Sequence, residues 1–373
     1  MIDVVILTEQ DDIHALAVRY ALLKKGATVR MIFPGDLPIN MIGSIEINDS
    51  PTAKLTGLKD EYSLKSNEDI GIVWYRRTPL PVPSHMLSTQ DRVFVKTESQ
   101  VFFQSIFYIL SKDAKHKINI PITSAIANLK PIQLIRARQI GFQIPRTLVS
   151  NNASDISKFV RSNDTQKIHK SFTPYVWTDP ERKTRVATYT QFITTDEAED
   201  SESMQATPAI FQEYIERHEE LKVFVFGKEI HCVSVISKSA CDSRTDKLRS
   251  YVLPDVALNE TERSMIQDLM DVMELAVATL DFIRTATGNL VFLEINESGQ
   301  WLFMENGVPN LMLLDKFTNY LISLVGKDTT LLPSVSAKEA LVAIHGDREL
   351  VTYNAMHSSA QSPTEPHFSN AAA

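Results

Sequence analysis

The chain has 373 residues, of which 43% are hydrophobic, so it is long enough for two or three subdomains with apolar cores. Its 46 acidic residues outnumber 38 basic ones and give a net charge of -8, which excludes a protein that coats nucleic acid through a broad basic surface. Two cysteines, Cys232 and Cys241, exclude a disulfide framework and lack metal-site spacing, which is typical of a reducing compartment.

The N-terminal part has the pattern of a doubly wound α/β layer. We predict strands at 2–7, 28–33 and 70–75 and helices at 13–24 and 89–110. The polar residues 44–69 are predicted to form a meander or a small insert. Because no Gly-x-Gly-x-x-Gly follows the first strand, a dinucleotide-binding fold is excluded.

The apolar runs also bear on the cellular location of the protein. The run at residues 2–7 is too short for the apolar core of a signal peptide and has no basic residues before it. No other run approaches the ~18 apolar residues that a bilayer crossing needs. We therefore expect a soluble, cytoplasmic protein.

Shorter elements follow Pro121. We predict helices at 125–139 and 153–160 and a small antiparallel sheet from strands at 146–149, 166–169, 184–195 and 209–214. The acidic run 196–202 is predicted to be a solvated loop.

The C-terminal part begins with a predicted hairpin at 221–235 that turns at Gly227-Lys228. A helix at 260–275 and strands at 278–283 and 290–296 follow. Periodicity is lost after about Gly326, and residues 358–373 are predicted to be a disordered tail.

The strongest chemical pattern lies on the last two strands. Glu294 and Asn296 alternate with apolar residues and point to one face, and Asp281 joins them if the two strands pair. Carboxylate and amide oxygens inside apolar strands suit a hard cation such as Mg²⁺, together with substrate phosphates. An ion-paired hairpin end is the alternative, but the Glu-x-Asn spacing favours the metal.

Two further groups are weaker signals when taken alone. Lys130 at a helix start and Lys170 at a strand end are compact charges that could clamp a polyphosphate, although isolated lysines are more often solvated. The apolar strand that includes residues 210–215 breaks after Ile215 and could offer backbone groups to a purine edge. A carboxylate a few residues on could bind ribose hydroxyls.

In combination these motifs resemble the ATP-grasp superfamily over about residues 1–325. More closely, Trp74-Tyr75-Arg76-Arg77, the run from Asn128 to Leu134, Ile144-Pro145-Arg146-Thr147 and the run from Phe292 to Trp301 resemble the microviridin-type graspetide synthetases. The Asn-x-x-Gly-Gln-Trp extension and the Trp-Tyr-Arg-Arg strand end are specific to that branch.

The resemblance implies an ATP-grasp fold of three parts and an assignment of site residues. The three parts would be an N-terminal α/β domain (1–124), a central lid (125–207) and a C-terminal nucleotide- and metal-binding subdomain (208–326). A tail (327–373) would follow them. Lys130 and Lys170 would bind phosphates, the strand Gln212-Glu213-Tyr214-Ile215 would meet adenine, and Glu220 the ribose. Asp281, Glu294 and Asn296 would hold magnesium, with two ions expected. Lys170, Lys222 and Arg249 are the candidate catalytic residues.

Several positions depart from the family pattern. Where the family has Leu-Arg-Val, this chain has Leu221-Lys222-Val223. The family's Asp-Trp-Arg motif is not intact, so either Arg244 or Arg249 could be the arginine of that motif. We favour Arg249. The segment 171–189 lacks glycine, so it would cover phosphates by side chains such as Arg182, Lys183 and Arg185, or be an exposed charged loop. Arg76 and Arg77 are either structural or face the peptide.

The resemblance also implies an activity. The enzyme would use ATP to phosphorylate side-chain carboxylates of a ribosomally made precursor peptide and join them to Thr or Ser hydroxyls or Lys amines, giving ω-ester or ω-amide macrocycles. It would act as a homodimer, without nucleic acid or membrane. The alternatives are a glutamate-adding carboxylate–amine ligase for a small molecule or protein terminus, and a non-catalytic ATP-binding regulator.

Overall fold

The computed structural model describes residues 1–58, 63–179, 184–239 and 241–344. Arg182 and Lys183, the side chain of Arg185 and the predicted disordered tail at 358–373 lie outside the part that is described. No helix among the described residues is both long enough and apolar enough to cross a membrane.

The N-terminal part alternates strands with two long helices. In chain order it contains β1 (Ile2–Leu7), α1 (Ile13–Lys24), β2 (Val29–Ile32), β3 (Met41–Glu46), β4 (Thr52–Gly57), β5 (Ser63–Lys65), β6 (Ile70–Tyr75), α2 (Thr89–Ser111) and β7 (His116–Ile118). Strands β2, β1, β6 and β7 form a parallel sheet in that order, and β3, β4 and β5 form a separate antiparallel sheet. The predicted doubly wound opening is therefore confirmed, and the predicted insert is largely this second sheet.

The middle of the chain is built from shorter elements. They are α3 (Pro121–Ala127), α4 (Lys130–Ile140), β8 (Thr147–Ser150), α5 (Ala153–Val160), β9 (Lys167–Lys170), β10 (Val176–Asp179), β11 (Thr184–Ala187), β12 (Gln191–Ile193), α6 (Ser201–Ala206) and β13 (Ala209–Glu213). An antiparallel sheet has the order β12, β9, β13, β8, and β10 pairs with β11 alone. The predicted strand at 184–195 is thus two strands in different sheets.

The C-terminal part contributes a larger antiparallel sheet. Its elements are β14 (Glu219–Phe226), β15 (Glu229–Ile236), β16 (Ser250–Val252), α7 (Glu260–Val272), β17 (Val277–Arg284), β18 (Leu290–Asn296), α8 (Leu302–Gly307) and α9 (Leu313–Leu324). The strand order is β16, β15, β14, β17, β18. Apolar side chains of α4, α7 and this sheet share one core, centred on Phe142, Phe282 and Phe292.

Contacts divide the chain into two compact units. The described residues of Met1–Ile122 and Gln300–Gly346 belong to unit 1, and those of Thr123–Gly299 belong to unit 2. In unit 1 the Lys25 ammonium binds the Asp315 carboxylate at 2.7 Å and the Pro333 carbonyl at 3.0 Å. Val335 and Leu341 are buried, so the first part of the predicted tail packs within unit 1. The predicted division at 207/208 stays a prediction.

The predicted single helix at 125–139 is wrong. It is two helices, because Leu129 is extended (φ -80°, ψ 92°) and α4 restarts with Pro131 in its first turn. Proline lacks an N–H and fits the start of a helix, where no intrahelical acceptor is available. The apolar pattern continues across this break, which is why periodicity alone does not reveal it.

The acidic run 196–202 is also not a plain loop. Residues 197–199 form a 3₁₀ turn, and α6 begins at Ser201. The Asp200 side chain caps α6 by accepting a hydrogen bond from the Ser203 N–H at 3.2 Å. Carboxylates at a helix N-terminus are stabilised by its unpaired N–H groups, so the charge run supports the helix.

Arg76 is a structural residue of unit 1. Asp12 caps α1 by accepting hydrogen bonds from the His14 and Ala15 N–H groups at 2.9 and 3.1 Å. Its other carboxylate oxygen lies 3.3 Å from the Arg76 Nε, and both side chains are at most 5% exposed. Burial raises the pKa of Asp12, but the charge of Arg76, together with those of His14 and Arg77 and the Ala15 hydrogen bond, more than offsets this and the pKa falls to about 2. The pair therefore joins the end of β6 to the start of α1.

Replacing Arg76 with alanine should destabilise the protein by about 3–5 kcal/mol, because the buried Asp12 carboxylate loses its counter-charge. Urea unfolding followed by the fluorescence of Trp74 and Trp301, both buried in unit 1, measures the loss. Arg19→Ala, on the exposed face of α1, is the matched control and should change stability by no more than about 0.5 kcal/mol.

The pH dependence gives a second measure of the same pair. A carboxylate whose folded pKa is depressed stabilises the fold above its unfolded pKa, and the contribution is lost as the pH falls through the folded value. The stability difference between wild type and Arg76→Ala should narrow as the pH is lowered towards about 2, the folded pKa of Asp12. A difference that is independent of pH would contradict the assignment.

Candidate active site

Three adjacent strands of unit 2 place charged side chains in one row. Lys222 on β14 is paired with Asp281 on β17, and Asp281 is paired with Glu294 on β18. Directly paired residues of antiparallel strands point to the same face of a sheet. The Lys222 Nζ lies 2.7 Å from Asp281 Oδ2, and both side chains are about one-fifth exposed (20% and 21%). We call Lys222, Asp281, Glu294 and the Lys130 described next the charged row.

Lys130 extends the charged row from the side of α4. Its Nζ lies 3.0 Å from Glu294 Oε2. Lys130 is the first residue of α4, so the turn that separates α3 from α4 sets the position of this ammonium group. The order along the row is Lys222, Asp281, Glu294, Lys130, so a lysine at each end flanks two adjacent carboxylates.

Gln133, one turn into α4, fixes the helix to β18. Its side-chain oxygen accepts a hydrogen bond from the Ile295 N–H at 2.9 Å, and its amide nitrogen donates to the Ile295 carbonyl at 2.9 Å. The same nitrogen donates to the Ala127 carbonyl at 2.5 Å, and the side chain is 1% exposed. Ile295 lies between Glu294 and Asn296. The buried Gln133 side chain therefore positions these two predicted metal ligands of β18 relative to Lys130.

Two more cations act on the carboxylates of the charged row. Lys170 lies at the end of β9 in the smaller sheet, and Arg244 lies in the segment that follows β15. The charges of both residues help to lower the pKa of Glu294. Burial lowers the pKa of Lys170, and the nearby positive charges of Lys130 and Arg244 lower it further, while Glu294 opposes them. A cluster of cations therefore surrounds Glu294.

The two carboxylates of the row have opposite pKa shifts. Burial and the Glu294 charge raise the pKa of Asp281 above its ordinary value, although Lys222 opposes this. Burial also raises the pKa of Glu294, but Lys130 and Lys170 reverse the effect, so the net pKa is far below the ordinary value. Burial lowers the pKa of Lys222, but Asp281 and Glu220 more than compensate, and it stays charged. The surrounding cations therefore stabilise the ionised form of Glu294, whereas burial and the Glu294 charge oppose that of Asp281.

Glu220, the predicted ribose ligand, lies two residues before Lys222 on the same face of β14. Its Oε2 accepts a hydrogen bond from Arg217 at 2.7 Å, and its Oε1 accepts one from the Ser243 hydroxyl at 2.8 Å. Arg217 also donates to the Ser239 carbonyl. These bonds hold the carboxylate in one orientation and tie it to the segment that carries Arg244.

The structure distinguishes Arg244 from its rival Arg249. Asp242 accepts three hydrogen bonds from the Arg244 guanidinium, at 2.9, 3.2 and 2.5 Å, and the guanidinium lies 5.7 Å from the centre of the Tyr189 ring. The charge of Arg244 acts on Glu294 and Asp281. Arg249 instead donates to the Tyr251 hydroxyl and to the Arg244 carbonyl, each at 3.0 Å. The charge of Arg244 therefore acts on the carboxylates of the charged row, whereas Arg249 supports the backbone of Arg244. The choice of Arg249 as the catalytic arginine stays a prediction.

The predicted adenine strand ends earlier than expected. β13 stops at Glu213, and residues 214–218 connect the smaller sheet to β14. Gln212 is buried and donates to the Thr147 hydroxyl at 2.9 Å, and the Glu213 carboxylate accepts from Asn163 at 2.7 Å. The Tyr214 N–H donates to the Gln166 carbonyl at 2.8 Å, and Ile215 is half-buried. The side chains of Gln212 and Glu213 thus serve the sheet, and any recognition of adenine falls to backbone groups of this connection.

Asn296 is the exposed last residue of β18 and is paired with Thr279. The chain then turns back, because Gly299 lies against Thr279. A Cβ at position 299 would come within 2.6 Å of the Thr279 Oγ1. The glycine of the Asn-x-x-Gly-Gln-Trp extension is therefore needed for close approach beside Asn296.

Sequence reasoning missed four residues of this site. Gln133 was part of a motif used for the resemblance but was given no role, although a glutamine at a core position of a helix signals a buried polar contact. Ser243 could not be found, because its partner Glu220 lies on a strand 23 residues away. Arg217 and Asp242 bind oppositely charged residues three and two positions along the chain, a local signal that was given no role.

Comparisons with known proteins agree with this geometry. A model of the RimK-like ATP-grasp domain matches residues 113–308, more than half of the chain. The chain belongs to the RimK-like ATP-grasp family, and it is an enzyme of the ATP-grasp ligase class. No curated protein gives a significant match to the sequence.

Three solved structures illustrate the shared fold. Macrocyclase MdnC bound with precursor peptide MdnA from Microcystis aeruginosa MRC is 23% identical, with a TM-score of 0.73 over 86% of this chain and 99% of that chain. A RiPP-associated ATP-grasp ligase of Chryseobacterium gregarium, in complex with ADP and a leader and core peptide, is 22% identical, with a TM-score of 0.72 over 89% and 99%. The ATP-grasp ligase PsnB complexed with a phosphomimetic variant of minimal precursor, Mg and ADP is 16% identical, with a TM-score of 0.67 over 87% and 99%.

Gln133→Leu should destabilise unit 2, because the buried groups of Ala127 and Ile295 lose their partner. The expected loss is about 1–3 kcal/mol for each group left unpaired. Hydrogen exchange of the β17 and β18 amides, followed by mass spectrometry, measures this local opening. Gln139→Leu, at an exposed position of the same helix, is the control. Equal exchange in both variants would show that Gln133 does not hold β18.

Proposed function

We propose that the protein is an ATP-dependent macrocyclase that joins side chains of a ribosomal precursor peptide through ω-ester or ω-amide bonds. The observation that carries the proposal is the charged row, with Lys170 and Arg244 beside it, in a member of the RimK-like ATP-grasp family. Relatives of the same fold were crystallised with precursor peptides, which supports this class of substrate.

The residues of the row fit a magnesium site. Asp281, Glu294 and Asn296 offer only oxygen donors, and one or two carboxylates completed by substrate phosphates is the usual magnesium environment. Among the described residues no group of three His, Cys, Asp or Glu forms a complete metal cage, as expected when phosphates supply the remaining ligands. Bound Mg²⁺ would neutralise phosphate charge beside Glu294, and we expect two ions.

The protein's own residues would bind and orient the nucleotide. Lys130 and Lys170 would contact phosphate oxygens, and Glu220, fixed by Arg217 and Ser243, would accept hydrogen bonds from the ribose. Backbone groups of the connection that begins at Tyr214, after the end of β13, would meet the adenine edge. Lys222 would hold Asp281 in place through its ion pair. The groups that would contact the nucleotide each offer a charge, a hydrogen-bond donor or a hydrogen-bond acceptor.

The chemistry has two balanced steps. An oxygen of a peptide Asp or Glu carboxylate attacks the γ-phosphorus of ATP, and ADP leaves, which gives an acyl phosphate. A Thr or Ser hydroxyl or a Lys amine then attacks the acyl carbon, loses its proton, and inorganic phosphate leaves. Phosphoryl transfer needs positioning and charge neutralisation rather than a protein nucleophile. Arg244, held by Asp242, is the candidate to orient the acceptor carboxylate or the acyl phosphate.

The test is to incubate the protein with a candidate precursor peptide from a neighbouring open reading frame, rich in Thr, Ser or Lys with Asp and Glu, and ATP. We expect the peptide to lose one water mass per ring by mass spectrometry, with one ADP formed per bond. Glu294→Gln and Asp281→Asn should each reduce turnover at least about 100-fold with the fold intact, because they remove site charge rather than core volume. Asp271→Asn, whose side chain is 68% exposed, is the control and should keep full activity.

Three other outcomes of these assays would favour an alternative function or contradict the metal assignment. ADP formation that depends on free glutamate and not on the peptide would favour a carboxylate–amine ligase acting on a small molecule or a protein terminus. Tight ATP binding without ADP formation for any substrate would favour a regulator. Unchanged ADP release in Glu294→Gln and Asp281→Asn would contradict the metal assignment.

A further inference from the structure

Residues 242–246, in the segment after β15, form a compact turn. A 3₁₀ helix spans Ser243–Thr245, and the Asp242 carboxylate caps it by accepting a hydrogen bond from the Arg244 N–H at 3.0 Å. The Thr245 hydroxyl donates to the Asp242 carbonyl at 2.8 Å. These bonds join residues that are two or three positions apart, so they hold the side chains of the turn in a fixed arrangement. We call residues 242–246 the Ser243 turn.

The Ser243 turn presents one charged group to solvent and buries the groups that hold it. Asp242 and Ser243 are 7% and 6% exposed, whereas the Arg244 side chain is 44% exposed. Asp242 also accepts a hydrogen bond from the Thr190 N–H at 3.1 Å. Burial raises the pKa of Asp242, but the hydrogen bonds and charge of Arg244, with the Thr190 N–H, more than offset this and lower it. The Arg244 guanidinium is therefore accessible to a substrate while its counter-ion is fixed inside unit 2.

The Ser243 hydroxyl connects this turn to Glu220 on β14. It donates to the Glu220 Oε1 at 2.8 Å, while Arg217 donates to the Oε2 at 2.7 Å. An ionised carboxylate has about four acceptor positions, so one remains on each oxygen. The hydroxyls of a ribose can use those positions without displacing Ser243 or Arg217. Glu220 can therefore bind a ribose and the Ser243 turn at the same time.

The serine itself is a departure from the family pattern. When Asp242 and Arg244 are aligned with the ends of the family's Asp-Trp-Arg motif, Ser243 takes the position of the tryptophan. A serine hydroxyl lies directly on Cβ, whereas the indole N–H of tryptophan lies at the edge of a large ring. The short bond to Glu220 thus depends on the serine, and the motif does not supply it.

We propose that Ser243 is a positioning residue that couples recognition of the ribose to the placement of Arg244. The inference rests on the proposed function, in which Glu220 binds the ribose and Arg244 orients the acceptor carboxylate or the acyl phosphate. A bound ribose restrains the Glu220 carboxylate, and this carboxylate restrains the Ser243 hydroxyl. Because the Ser243 turn is internally bonded, Arg244 is then held in a fixed place. Ser243 itself contacts neither the nucleotide nor the peptide.

A nucleotide without ribose hydroxyls should therefore lose more than binding energy. Its phosphates still contact Lys130 and Lys170, but Glu220 has one restraint fewer, and Arg244 is less well placed. Interactions made only in the transition state change kcat, whereas those made equally with the bound substrate change KM. Loss of the ribose hydroxyls should thus affect KM and kcat together.

Hydrogen exchange followed by mass spectrometry tests the coupling without a peptide. The N–H groups of Arg244, Thr245 and Asp246 are hydrogen-bonded within the turn, so their exchange measures its opening. In the wild type, ADP with Mg²⁺ should slow this exchange about threefold or more. The analogue 2′,3′-dideoxyADP, used above its measured dissociation constant, should not slow it, and neither should ADP in Ser243→Ala. Ser250→Ala, at an exposed position of β16, is the matched control and should respond to ADP as the wild type does.

Steady-state kinetics with the precursor peptide measure the effect on the reaction. Ser243→Ala should raise KM for ATP and lower kcat at saturating ATP, each roughly 10-fold, because a hydrogen bond to a charged group is lost. A residue that supported only ATP binding would raise KM alone. With 2′,3′-dideoxyATP the wild type should lose kcat to a similar extent, and Ser243→Ala should lose little more, since both changes break the same connection. Circular dichroism establishes that each variant is folded.

Three results would overturn the proposal. Equal protection of the Ser243 turn by ADP and 2′,3′-dideoxyADP would show that the ribose does not act on it. Unchanged kcat in Ser243→Ala would show that Ser243 does not place Arg244. So would a loss of kcat, on removal of the ribose hydroxyls, that is as large in Ser243→Ala as in the wild type. Failure of every peptide to react would contradict the proposed function instead, and the exchange measurement would still decide the role of Ser243.

Discussion

The site depends on two neighbouring carboxylates flanked by cations at one level of a sheet. Lys222, Asp281 and Glu294 come from three neighbouring strands, and Lys130 closes the row from α4. Asp281 is paired with Lys222 and Glu294 with Lys130, in a partly buried setting where an unpaired charge would be costly. The row is therefore assembled before any nucleotide binds, and its cations are available to phosphate oxygens without a large rearrangement.

The surrounding structure holds the row rigid through buried hydrogen bonds. Gln133 binds both backbone groups of Ile295, between the two predicted ligands of β18. On the other side, Ser243 and Arg217 fix Glu220, and Asp242 fixes Arg244. Enzymes that work by charge stabilisation need groups fixed in advance, because reorganisation during the reaction costs energy. The polar residues around the row provide that fixation.

Much of the fold could be predicted from the sequence, but some elements were predicted far better than others. Strands with a strong period, such as β1, β6 and β18, were predicted at or within one residue of their bounds, because a buried run or an alternating pattern is a local signal. The break before Lys130 was missed because apolar spacing continues across Pro131. α8 and α9 had no predicted counterpart, and the packing of Val335 and Leu341 in unit 1 depends on contacts distant in sequence.

Some residues of the candidate site could also be predicted from local sequence patterns, and others could not. Asp281, Glu294 and Asn296 were grouped because strand alternation is local, and the register of β17 and β18 then placed them together. The choice between Arg244 and Arg249 could not be made, because it depends on how a loop after β15 folds towards other strands. Likewise, no local pattern indicates that Ser243 binds Glu220, since that bond joins a loop to a strand 23 residues away.

The coupling between Lys222 and Asp281 tests the central claim most directly. A double-mutant cycle with Lys222→Met, Asp281→Asn and the double variant isolates their interaction in the nucleotide-free protein, with hydrogen exchange of β14 and β17 as the measure of local stability. Because both side chains are about one-fifth exposed, we predict a coupling of about 1–3 kcal/mol, below that of a fully buried pair. Additive effects, within about 0.5 kcal/mol, would contradict a row that is held together by its own charges.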